Sequence, residues 1–103
     1  HEVTRRLRDG LSDPNEADEA GVTLLHIAAR AGRRRLVEEL LERGANQAAR
    51  DGLHGRSALH YAAAAGHAAV IETLLRRGAD ATAADATGAT ALHLAAQAGE
   101  ERA

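Results

Sequence analysis

Two rhythms of apolar residues alternate along this chain. One is short and alanine-rich: Leu24-Leu25-His26-Ile27-Ala28-Ala29, Ala58-Leu59-His60-Tyr61-Ala62-Ala63 and Ala91-Leu92-His93-Leu94-Ala95-Ala96. The other sets apolar residues at i, i+1, i+4 and i+5, as in Leu36-Val37 with Leu40-Leu41 and Val70-Ile71 with Leu74-Leu75. That spacing is the stripe of a helix buried on one side. The first rhythm predicts short helices from about Leu24 to Ala31, Ala58 to Ala65 and Ala91 to Ala98, and the second predicts return helices from roughly Arg34 to Arg43 and Ala68 to Arg77. Thr23, Ser57 and Thr90 stand just before the short helices, where a hydroxyl can accept an otherwise unpaired backbone N–H. Gly32, Gly66 and Gly99 are placed to close them in the left-handed conformation of a helix C-cap, while Gly44 and Gly78 stop the return helices.

The short phrases repeat in register. His26, His60 and His93 lie 34 and 33 residues apart, and Gly21, Gly55 and Gly88 each precede the capping hydroxyl by two residues. A period near 33 residues carrying T-x-L-H-x-A resembles the ankyrin repeat. The resemblance covers nearly the whole chain, because Val3-x-x-x-Leu7 and Gly10 align 34 residues ahead of Val37, Leu41 and Gly44. It implies an all-α solenoid of stacked helix-turn-helix units with projecting β-turn finger loops, the fingers and short helices together lining a concave face. The expected units are a half repeat over 1–17, repeats over 18–50 and 51–84, and a truncated repeat over 85–103.

Three departures from the family pattern carry expectations. Leu24, Ala58 and Ala91 replace the usual proline at the first helical position, which should cost some stability without changing the fold. The middle finger, Asp51-Gly52-Leu53-His54-Gly55, has one residue more than Asp85-Ala86-Thr87-Gly88 and should protrude or bend differently. The third unit has only its first helix, so apolar surface under Leu92 and Leu94 should stay partly open unless something caps it. With His rather than Met at position 1, the chain reads as a fragment of a longer one.

Composition narrows the chemistry. The chain has 103 residues, 45% of them apolar, with one Tyr and neither Phe nor Trp, so Leu, Ile, Val and Ala must fill the core through close backbone approach. The net charge of −2 gives no overall bias toward nucleic acid or anionic membrane, although every basic residue is Arg. No cysteine is present, which removes disulfides, thiolate zinc sites and thiol nucleophiles. With no signal peptide and no apolar run near the ~18 residues needed to span a bilayer, the expected location is intracellular, cytoplasmic or nuclear.

Equivalent histidines on adjacent stacked helices would stand roughly 8–10 Å apart, too far to share a zinc ion that needs each ligand at ~2.0–2.1 Å. A structural role is expected instead: each imidazole bonds the hydroxyl three residues back and a backbone group of the neighbouring finger loop. His67 is read as structural, whereas His54 is an exposed finger residue open to a partner or to solvent. No nucleophile elbow, phosphate loop or metal helix is present, and Glu38, Glu39 and Glu42 read as a solvated face. No enzyme activity, cofactor or metal is expected. The run Arg33-Arg34-Arg35 can be the polar side of a helix start, a phosphate or acidic-segment site, or, least supported, a nucleic-acid contact.

Carried over position by position, the resemblance implies partner contacts at Glu19, Val22, Arg30, Leu53, His54, Arg56, Thr87 and Gln97. Leu53 and Arg56 are expected to anchor, because an exposed Leu at a loop tip calls for a purpose and Arg is enriched in binding hot spots. Tyr61 occupies the position of Ile27 and Leu94 and is read as packing. The function expected is a non-catalytic protein–protein interaction module, with no nucleic acid and no membrane. Alternatives are a regulatory or targeting segment of a larger enzyme or transcription regulator, and self-association through the open third repeat.

Overall fold

A computed structural model of the chain describes residues 14–102, with side chains as far as Gly99. Val3, Leu7 and Gly10, on which the expected half repeat rests, lie outside the described residues. Among the described residues five helices run in order: α1 (Leu24–Arg30), α2 (Arg34–Glu42), α3 (Ala58–Ala65), α4 (Ala68–Arg76) and α5 (Ala91–Arg102). Among the described residues no strand forms; a lone antiparallel bridge joins Ala17 and Thr23.

The first four helices match the expected spans to within one residue at their ends. Thr23 and Ser57 are both extended, and the Thr23 hydroxyl accepts the His26 N–H at 3.3 Å. At the other end of α3, Gly66 takes φ 77°, a left-handed conformation that lets His67 N–H return to Ala62 O at 3.0 Å. The sequence expectation fails at Gly99. α5 runs through that glycine to Arg102. Glu100, Glu101 and Arg102 are good helix formers, and a glycine inside a helix costs only about 1 kcal/mol relative to alanine, so no stop signal outweighs continuation there.

The helices form two layers. α1, α3 and α5 pack in one row, while α2 and α4 pair behind α1 and α3 and against each other. Leu25, Val37, Leu40, Val70 and Leu74 are almost wholly buried, and so are Ala28, Ala29, Ala62 and Ala63 where α1 meets α3. Methyl groups at these positions bring the two helices into close contact, and this replaces the aromatic bulk that the composition lacks. The expected opening at the third unit is confined to Leu92, which is 77% exposed, whereas Leu94 is buried at 5%.

Two buried imidazoles tie each unit to the loop ahead of it. Thr23 N–H donates to His26 Nδ1 at 2.9 Å, so that nitrogen carries no proton and Nε2–H is the donor. It bonds Arg56 O at 2.9 Å and Ala49 O at 3.1 Å. His60 repeats the arrangement with Ser57 N–H, Ala83 O and Ala89 O. His93 keeps the local half, with Thr90 N–H on its Nδ1 at 3.1 Å, but it is exposed and its Nε2 has no acceptor among the described residues. His67 is structural too, its Nε2 donating to Arg30 O at 2.9 Å.

The core requires that Leu40→Ala lower the unfolding free energy by about 2–5 kcal/mol in a urea titration, and that Leu92→Ala change it by no more than about 0.5 kcal/mol. Burial pushes the His26 imidazole below its ordinary value of 6.5, against the opposing pull of the Arg56 and Ala49 carbonyls and of Asp51. The unfolded chain therefore takes up this proton more readily than the folded one. His26 thus supports the fold fully above about pH 6.5 and progressively less below it. Urea titrations at pH 7.5 and 5.5 should show a loss of stability on acidification that is smaller in His26→Gln than in the native chain.

Candidate functional site

One aspartate organises each finger. Asp18 Oδ1 accepts the N–H groups of Ala20 and Val22, each at 2.9 Å, and Asp85 Oδ1 accepts those of Thr87 and Ala89 at 2.9 and 3.0 Å. In the middle finger Asp51 Oδ1 skips one residue and accepts from His54 and Arg56 at 2.9 and 3.1 Å. The additional residue is absorbed at the tip, leaving Leu53 62% exposed.

Neighbouring fingers are joined through their backbones. Gly52 N–H donates to Ala20 O at 2.6 Å, and Ala86 N–H donates to His54 O at 2.8 Å. The approach is close enough to exclude side chains: Gly21 sits at φ +77°, and a Cβ there would lie 2.8 Å from Gly52 N. Arg50 adds a side-chain tie, its guanidinium donating to Gly55 O at 3.2 Å and to Ala84 O.

Between the middle finger and the ends of α1 and α3 lies a groove of about 380 Å³, lined by Arg30, Asp51, Leu53, His54, Arg56, Tyr61, Ala64 and Ala65. Arg30 is the last residue of α1, and Ala64 and Ala65 end α3. Tyr61 projects from α3 with its hydroxyl donating to Asp51 Oδ2 and its ring 4.7 Å from that of His26, tilted by 49°. Arg56 is half-buried, and its Nε pairs with Asp85 Oδ2 at 3.0 Å.

Burial alone would push the Asp51 carboxyl up, but the Tyr61 hydroxyl and the N–H groups of His54 and Arg56 hold it down at about 2. Tyr61 responds in the opposite sense: burial and the Asp51 hydrogen bond push its hydroxyl up to about 12. Asp85 lies below the ordinary carboxylate range, chiefly through the Thr87 hydroxyl. Both aspartates are thus ionised and internally satisfied.

Four of the eight residues expected to meet a partner converge on this groove: Arg30, Leu53, His54 and Arg56. Glu19, Val22, Thr87 and Gln97 do not line it. Glu19 and Gln97 are exposed, Val22 is half-buried, and the Thr87 hydroxyl is spent on Asp85 at 2.6 Å. Arg56, expected to anchor a partner, also holds the middle finger to the third. Asp51 and Tyr61 belong to the groove, although their sequence context marks only a turn and a packing position. The recurrence of Asp18, Asp51 and Asp85 at finger starts was the available signal for the first; no local signal marked the hydroxyl of the second. Among the described residues no three His, Cys, Asp or Glu side chains converge as metal ligands. Arg34 of the basic run faces Glu38 at 3.9 Å.

A family model described as ankyrin repeats in three copies matches residues 1–85 and 50–103. The chain belongs to the ankyrin repeat family, a class of all-α repeat proteins that generally serve as protein–protein interaction modules and are typically non-catalytic. No curated protein matches it. Among the described residues no helix is long and apolar enough to cross a membrane.

Removing the phenol oxygen tests the groove's internal network. Tyr61→Phe should destabilise the chain by about 1–3 kcal/mol at pH 7, because Asp51 loses a donor in a buried setting. The Asp51 carboxyl should rise from about 2 toward its ordinary 3.8, read by carboxyl-carbon NMR titration. The stability that Asp51 contributes is present above pH 3.8 and lost as pH falls toward 2, so the variant's acid dependence across that window should be shallower.

Proposed function

We propose that this chain is a non-catalytic protein-binding module that takes its partner on the finger side, with Arg30, Leu53, His54 and Arg56 as central contacts. Glu19, Val22, Thr87 and Gln97 flank them on the neighbouring fingers and helix. The observation that supports this reading most directly is the middle finger. A large apolar side chain is held 62% exposed at the rim of a groove whose own walls are hydrogen-bonded in place. A preordered surface of this kind loses little conformational entropy on binding.

A second reading, self-association, draws on Leu92, which is 77% exposed on α5 beside the exposed His93. Site-specific photo-crosslinking in a cell lysate separates the two. A benzophenone residue placed at position 54 should capture a distinct partner protein, whereas one at position 72, exposed on α4, should not. Capture from position 92 alone, giving a species of twice the chain's mass, would replace the finger-side reading with self-association. Equal capture from positions 54 and 72 would remove support from both.

A further inference from the structure

We propose, building on the finger-side reading above, that the groove receives an extended segment of the partner protein in which a carboxylate side chain stands next to an aliphatic one. The groove lining sets two arginines against one carboxylate, although the chain as a whole carries −2. Arg30 is exposed at the end of α1 and makes no ion pair among the described residues. Arg56 commits only its Nε to Asp85, at 3.0 Å, which leaves the Nη groups of a half-buried guanidinium for an incoming acceptor. The one carboxylate in the lining, Asp51, is 5% exposed and already accepts from Tyr61, His54 and Arg56. An arriving side chain therefore meets two guanidinium groups with N–H donors to offer and a buried carboxylate that already accepts three hydrogen bonds. Guanidinium groups in this setting favour carboxylates, which they can grip through two parallel N–H donors.

The apolar half of the groove selects the neighbour of that carboxylate. Leu53 lines it from the finger, and Ala64 and Ala65 line it from the end of α3 with methyl side chains. The volume of about 380 Å³ lies near the lower end of the ~300–1,000 Å³ found for ligand pockets. An aliphatic side chain fits such a lining. A nucleobase would need a free aromatic face, whereas Tyr61, the chain's single aromatic residue, already packs its ring against His26.

The test is selection of random 12-residue peptides displayed on phage against the full 103-residue chain. Binding of the best synthetic peptide is then measured to the native chain, to Arg30→Gln and to Leu53→Ser. Both substitutions are at exposed side chains, so circular dichroism should show an unchanged fold. Enriched peptides should carry Asp or Glu next to Leu, Ile or Val. Arg30→Gln, or conversion of the peptide carboxylate to its amide, should each weaken binding roughly tenfold, and the two together little more, because they remove the same contact. Inorganic phosphate at millimolar concentration should not displace the peptide. Peptides that block crosslinking from position 54 but carry no carboxylate, or that Arg30→Gln leaves within about twofold, would overturn the acidic-aliphatic assignment and leave the finger-side reading standing. Displacement by phosphate alone, or no enrichment at all, would likewise overturn it. Peptides that bind tightly without blocking position 54 would overturn the finger-side reading as well.

Discussion

The imidazoles of His26 and His60 act as surrogate backbone. Each ring accepts, through Nδ1, the N–H that opens its own helix, and donates, through Nε2, to two carbonyls of the loop ahead. Helices of seven to nine residues such as α1 to α4 are far too short to persist alone, and loops without a sheet ladder leave carbonyls unpaired. A neutral ring at 1% exposure answers both needs at once. The arrangement also fixes direction, since each unit grips the next one along the chain. The loops that lead into the fingers are held through this contact, and at His26 burial favours the uncharged ring, so acid weakens the grip of that unit on the next.

The groove owes its existence to what is small. Alanines between α1 and α3 let the first-helix row pack tightly, and the same residue at positions 64 and 65 gives the groove small side chains where α3 ends. Around them the polar groups are arranged in tiers. Asp51 and Asp85 are occupied by the loops they shape, Tyr61 braces Asp51, and Arg56 bridges two fingers with part of its guanidinium. Only Arg30, Leu53 and the side chain of His54 stand largely uncommitted.

Repetition made the fold legible. Three copies of one phrase, with glycine, hydroxyl and histidine in fixed order, carry the caps, the turns and the helix pairing, and four helices end within a residue of where the pattern placed them. Gly99 misled because a glycine stops a helix only when the residues after it can turn back, and Glu100, Glu101 and Arg102 favour going on. The candidate site was legible in half. Exposure at a loop tip is set by local sequence, which found Leu53 and His54, but partners across a gap of 29 residues are not, and the Arg56–Asp85 pair is such a contact. The Tyr61 hydroxyl escaped for the same reason: its acceptor lies on a different element, and nothing in its own helix records it.

The backbone bonds that join the fingers involve the residue after each aspartate and the residue before each glycine, and they ignore what lies between. In the middle finger that interval is longer by one, yet Gly52 and His54 still make the same bonds as their counterparts. The frame therefore accepts one more residue at a tip without giving up a bond. Neighbouring fingers can thus differ in how far their tips reach while the spine that joins them stays the same.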